Sequence, residues 1–513
     1  MGGDDDGLTY RVRENGPVSS AVERPAIAWP GLAGIAAAFA GLLISASAAY
    51  GYHRDELYFI AAGGHPAFGY SDQPPLVPLL AHALDQASGQ SLVWLRLPSA
   101  LAGAATVLLC GLMAREFGAG RGAQLLAAAC FAVSSIAMAV NHLLSTTTFD
   151  VLVWALLSWL LTRVLRDLNR SWLPLGLVAG VGLEVKTLVV FFLLAVAVGI
   201  VAVGPRDVLR SRSLWLAVGL ALLMWSPNLW WQAANGWPQV ELSSAIASGS
   251  SGTSEPRWLF LPYQLLLISP VLFPVWVAGW WRLATDKALA PYRVFAVAYV
   301  VLALAFLVTG GKPYYLAGMY PVLLAAGAAP VLAWAARGRR RMRSGLLAAS
   351  VVLTLAVSCV LFLPVVPVSQ LADTPVVAVN YDAGETVGWP SFAATIGEVY
   401  DGLPADERRQ TVLLMGNYGE AGAVEHFRPD LAPVYSGHNA YWDWGPPPPE
   451  TDQVIAVGYD ERDLRPWFSV VSRVGTIDNA AALDNDEQGQ AVWVCRGPRQ
   501  TWRELWPEMR RLG

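Results

Sequence analysis

The chain has 513 residues, 55% of them hydrophobic and 14% charged, with 22 tryptophans and a formal net charge of -4. That apolar content exceeds the globular range and falls in blocks longer than a soluble core helix needs, which points to a polytopic membrane protein. No broad basic surface points to nucleic acid. Three of the four cysteines (Cys110, Cys130, Cys359) sit in apolar runs and Cys495 stands alone, so no disulfide framework is expected.

In chain order, residues 1–27 are polar and lack a signal peptide's apolar core, and are expected to form a disordered cytoplasmic tail. Apolar runs near 28–50, 97–115, 122–140, 148–165, 214–232, 258–281, 292–309, 314–336 and 345–366 each approach the roughly 20 residues that a membrane helix needs. The stretch 173–203 is too long for one span and too short for two. Arg163, Arg166 and Arg170 precede it, and Arg206, Arg210 and Arg212 follow it. Arginines favour the cytoplasmic side, so both ends are placed inside. The stretch then reads as a hairpin of two shortened helices with Glu184 and Lys186 near its tip. The expectation is a helical membrane domain over 28–366 with about eleven membrane helices. Its first extracytoplasmic loop covers 51–95. From 370 to 513, short apolar strands such as "TVLLMG" and "QVIAVGY" alternate with amphipathic stretches, which predicts an extracytoplasmic α/β domain. No internal repeat is visible, which weighs against carriers built from inverted halves.

The candidate chemistry is one-sided. In "YHRDELYFIAAGG", Arg54, Asp55 and Glu56 stand together just after the first span. Asp55 is the candidate general base, Arg54 a candidate phosphate contact and Glu56 a supporting carboxylate. Adjacent helical side chains diverge by about 100°, so the two acids cannot share one role. Asp72 follows in the same loop, and His142 and Asp150 flank "LLSTTTF" at the same face; all three read as supporting groups or as solvated loop and capping residues. Arginine is the default cation, 32 against three lysines. A lysine inside the membrane is costly and marks function by default, so Lys186 in "GLEVKTLVVFFLL" and Lys312 in "TGGKPYYLAGMYP" are candidate donor-phosphate contacts. Tyr315 and Tyr320 are expected to line the cavity or to belong to an interfacial aromatic belt. In "SGHNAYWDWGPPPPE", Tyr441 and Trp442 are expected to hold the acceptor, or else to form an aromatic patch at the membrane interface.

These segments, in order "RDELYF", "DQPPL", "LRLPSALAGA", "HLLSTTTFD", "GLEVKTLVVFFL" and "GKPYYLAGMYP", resemble the GT-C superfamily of membrane glycosyltransferases. The likeness is to bacterial members of the dolichyl-phosphate-mannose protein mannosyltransferase group (glycosyltransferase family 39), with the lipid A aminoarabinose transferases as relatives. The resemblance covers most of residues 50–325. It implies transfer of a sugar from a polyprenyl monophosphate at the outer leaflet to an extracytoplasmic acceptor, with inversion. It also places the family's catalytic acid on Asp55. Relatives often carry a lysine where this chain has Gln73, which leaves one anion contact unfilled. They also differ in whether a divalent metal takes part, so no cofactor is assigned. The alternatives are a transporter or flippase of lipid-linked sugars and a polysaccharide-binding scaffold.

Overall fold

A computed structural model describes residues 24–249 and 256–513. The tail expected at 1–27 therefore lies outside the described residues up to position 23. Among the described residues, seven helices are long and apolar enough to cross a membrane: Trp29–Ala46, Leu92–Glu116, Thr146–Arg166, Arg212–Ala234, Lys287–Thr309, Pro313–Ala336 and Arg340–Phe362. Two bent pairs raise the number to as many as nine: Arg121–Ala132 with Ser135–Asn141 at 58°, and Arg257–Ile268 with Phe273–Thr285 at 105°. The helices Leu173–Leu183 and Val189–Val203 have 11 and 15 residues. At 1.5 Å per residue these are roughly 16 and 22 Å long, and Lys186 lies between them. Eleven spans are reached only if these short helices are counted.

The two breaks correct the straight spans expected at 122–140 and 258–281. Ser134 leaves the helical region and accepts a hydrogen bond from the Ala137 N–H at 3.4 Å, so it starts a new helix. Ser269 has a φ of 144° and precedes a proline, whose ring disfavours helical backbone in the residue before it.

Two further regions position the site. The loop after the first span folds into the helices Arg54–Gly64 and Leu76–Ser88. They cross closely at Gly63, where any Cβ would collide with the Pro78 carbonyl. The C-terminal region carries a five-stranded sheet in the order β2-β1-β3-β5-β4. The strands are β1 (Thr411–Met415), β2 (Val434–Ser436), β3 (Gln453–Val457), β4 (Phe468–Thr476) and β5 (Ala491–Pro498). Strand β1 runs parallel to β2 and β3, while β5 is antiparallel to β3 and β4. The central strands β1 and β3 are buried along their whole length, as their unbroken apolar runs require.

The sheet region and this first loop share one hydrophobic core, in which Leu57 and Tyr58 pack with Trp389, Phe392, Leu413 and Ile455. Gly422, in the helix Tyr418–Phe427, lies against the Leu57 backbone, so that helix sits directly on Arg54–Gly64. This contact carries residues of the C-terminal region to the end of the first loop.

Candidate active site

A cavity of about 480 Å³ lies between the first loop, the membrane helices and the C-terminal region. Six of the residues singled out in the sequence line it: Arg54, Asp55, Asp72, Lys186, Lys312 and Tyr315. Carboxylates and cations from four separate stretches of chain thus face one space.

Asp55 occupies the first turn of the helix Arg54–Gly64, and its side chain is 38% exposed. Its Oδ1 accepts a hydrogen bond from the Tyr418 hydroxyl at 2.9 Å and lies 4.0 Å from Arg54 Nε. Asp72 accepts from the Tyr58 hydroxyl at 2.6 Å. Burial, reinforced by the nearby charges of Asp55 and Asp443, pushes Asp72 up to about 7 despite that hydrogen bond. Lys186 Nζ donates to Thr147 Oγ1 at 2.8 Å and stands over the rings of Tyr314 at 5.5 Å and Tyr315 at 5.8 Å. Cation–π contact of this kind holds an ammonium without neutralising it. Burial lowers the pKa of Lys312, although the charge of Asp55 works the other way.

The remaining expected residues take other places. Glu56 is fully buried and does not line the cavity. It accepts from Arg96 Nε at 2.8 Å and Arg96 Nη2 at 2.7 Å, and from the backbone N–H groups of Leu144 and His53, both at 2.8 Å. Its role is therefore to lock the loop to the second span. His142 lies behind the cavity wall with Nδ1 3.0 Å from the Met138 carbonyl. Asp150 is buried there too, near enough to Lys186 for their charges to interact. Tyr320 is buried in the helix bundle and donates to Gln264, away from the cavity.

Tyr441 and Trp442 are turned into the C-terminal region. The Tyr441 hydroxyl donates to Glu425 at 2.9 Å, and the Trp442 indole N–H donates to the Trp506 carbonyl at 3.0 Å. The chain reverses at Asn439, with a φ of 49°, and it is Asn439 that reaches the cavity. Arg54 is drawn toward the C-terminal region: it donates to the Tyr381 hydroxyl at 3.0 Å and lies 3.4 Å from Glu385.

Sequence reasoning missed four residues that shape the cavity: Tyr58, Tyr381, Asp382 and Tyr418. Asp382 lies 3.6 Å from Nε2 of His53, the residue that caps the Asp55 helix. Burial opposes charge on His53, but the Asp382 contact outweighs it and holds His53 above the ordinary histidine value. Tyr418 had one local signal. "NYGE" forms a capping box in which Asn417 and Glu420 each bond the other's backbone, which fixes a helix start at Tyr418. Among the described residues, no group of three or more His, Cys, Asp or Glu side chains is arranged to hold a metal ion.

Residues 72–231 match the family model described as dolichyl-phosphate-mannose-protein mannosyltransferase. No curated protein sequence matches the chain. Among solved structures, the chain is similar to ArnT from Cupriavidus metallidurans bound to undecaprenyl phosphate, with a TM-score of 0.57 and 15% identity over 91% of this chain and 98% of that one. The same enzyme in the apo state gives a TM-score of 0.58 at 15% identity, over 91% of this chain and 97% of that one. The arabinofuranosyltransferase AftD from Mycobacteria gives 0.51 at 14% identity, over 93% of this chain and 40% of that one.

Proposed function

We propose that this chain, which has the multi-pass fold of the GT-C membrane glycosyltransferases, transfers a hexosyl or pentosyl unit from a polyprenyl monophosphate to an extracytoplasmic acceptor hydroxyl. One observation carries the reading: Asp55 shares a single cavity with Lys186 and Lys312. A base and two cations lining one cavity suit displacement at a carbon that bears a phosphate. The ArnT structure with undecaprenyl phosphate supports a polyprenyl monophosphate as the lipid.

In this mechanism Asp55 takes the acceptor's hydroxyl proton as the acceptor oxygen forms a bond to C1 of the sugar. The bond from C1 to the phosphate oxygen breaks, and its electron pair leaves with the lipid phosphate. Lys186 and Lys312 face the charge that develops there. Attack opposite the phosphate inverts C1. The lipid tail lies among the membrane helices. The arginine distribution supports a cytoplasmic-membrane protein whose cavity and C-terminal region face outward. The side on which product appears tests that orientation.

The lysine assignment is tested by binding. A hydrogen bond to a charged group contributes about 1.5–3 kcal/mol, or about 10- to 100-fold in affinity. Lys186→Met is therefore expected to weaken equilibrium binding of undecaprenyl phosphate by about that factor, with a smaller loss for Lys312→Met, whose site lies nearer water. Wild-type affinity in Lys186→Met would remove this lysine from the donor site.

A further inference from the structure

A second cavity, of about 700 Å³, adjoins the first. The two share Arg54, Tyr381, Tyr418 and Gly513 as wall. The Tyr418 hydroxyl bonds Asp55 on one side of that wall. On the other side its ring lies 4.7 Å from the ring of His438, which lines the second cavity.

His438 is 8% exposed, and its ring nitrogens have no hydrogen-bond partner of good geometry among the described residues; the Gly513 backbone interacts with the ring only weakly. A buried ring held this loosely keeps hydrogen-bonding capacity for a further group. Burial, with the charges of Arg511 and Arg54, holds His438 down at about 3, so the ring is neutral and keeps one N–H to donate. Backbone pairing fixes it beside Arg511: the Arg511 N–H donates to the Gly437 carbonyl at 2.8 Å and the Asn439 N–H to the Arg511 carbonyl at 3.0 Å. The Arg511 guanidinium donates to the Gly416 carbonyl at 3.3 Å and forms no ion pair among the described residues. Asn417 and Tyr418 also line this cavity, at a helix start whose N–H groups are already capped by Asn417 and Glu420. The acidic side chains on the wall are paired with other wall residues, and Asp486 also lies 3.9 Å from Arg54. Glu241 holds Arg510 through two hydrogen bonds of 2.8 and 2.9 Å, and Asp486 accepts from Tyr381.

We infer that His438 and Arg511 form a subsite for an anionic group, phosphate or carboxylate, carried by the acceptor. With its anion seated there, an acceptor presents a hydroxyl past Tyr418 to Asp55. This inference rests on the transferase reading for its link to Asp55, whereas the anion site itself does not.

The test is equilibrium dialysis of the full-length protein in lipid nanodiscs against labelled glucose 6-phosphate, with glucuronate and glucose in parallel arms. The phosphate and glucuronate arms show which anion the subsite takes. At least one anionic sugar is expected to bind saturably and at least tenfold more tightly than glucose. His438→Asn and Arg511→Gln are each expected to weaken that binding at least tenfold, and Asp55→Asn to leave it unchanged. Equal binding of glucose, wild-type binding in either subsite variant, or no saturable binding of either anion would overturn the inference. If anion binding follows this pattern while Asp55→Asn retains sugar transfer, the transferase mechanism fails and the anion site stands.

Discussion

Asp55→Asn is expected to lower sugar transfer by about 10²- to 10⁴-fold, the usual contribution of a positioned general base, while donor-lipid binding and thermal unfolding stay at wild-type values. The expectation follows from how little else Asp55 does. Its side chain is more than one-third exposed and contacts Tyr418 and Arg54. Asparagine keeps the side chain's size and can still accept from the Tyr418 hydroxyl, but it takes no proton from an incoming acceptor. Turnover of purified wild-type and variant protein, with undecaprenyl phosphate affinity measured on the same preparations, separates chemistry from binding. Near-normal transfer in Asp55→Asn would remove the base from the mechanism. Loss of transfer together with loss of donor binding would instead make Asp55 part of the donor site.

Glu56→Ala is expected to act on stability. Glu56 and Arg96 are 0% and 1% exposed, and Arg96 also donates to the backbone carbonyls of Ser47 at 2.8 Å and Gly51 at 2.7 Å. One ion pair thus ties the end of the first span, the start of the second and the Leu144 backbone to the Asp55 helix. Removing the carboxylate leaves Arg96 buried without a counter-charge, a change that costs about 3–5 kcal/mol in comparable buried pairs. Thermal unfolding in detergent should shift clearly downward for Glu56→Ala and less for Glu56→Gln, which keeps the shape and one acceptor. Burial alone would raise the Glu56 pKa, but Arg96 and the two backbone N–H groups more than offset it, so the group titrates below the ordinary glutamate range. The stabilisation is therefore present above that range and is lost as pH falls through the folded-state value. A Glu56→Ala protein that unfolds at the wild-type temperature would show that the pair does not hold the loop.

These neighbours show how far the sequence could be read. Hydropathy revealed the long apolar helices and the two short ones that flank Lys186, because each depends on local composition. Four of the five strands were visible as short apolar runs. Strand β2, with three residues, is too short for a pattern. The division of labour between Asp55 and Glu56 follows from helix geometry only in part. That they diverge is local information. That Glu56 points to Arg96 depends on an arginine 40 positions away, in a segment that reads as the start of an ordinary span. Tyr418 reaches Asp55 across 363 positions, and nothing in one sequence records such a pairing. The aromatic loop shows the same limit. Its composition suits a sugar platform, but Tyr441 and Trp442 find partners in Glu425 and Trp506 within the C-terminal region, and the reversal at Asn439 turns them away from the cavity.

The central claim, transfer from a lipid-linked sugar, is tested most directly by following both halves of the donor. Sealed right-side-out vesicles carrying the protein and envelope acceptors would be supplied with a polyprenyl monophosphate sugar labelled in the sugar. Label is expected to leave the lipid, to appear in acceptor material accessible from outside, and to be matched mole for mole by free polyprenyl monophosphate, with Asp55→Asn lowering both by about 10²- to 10⁴-fold. Label that stays on its lipid while moving from one leaflet to the other would contradict the claim and establish the carrier reading instead.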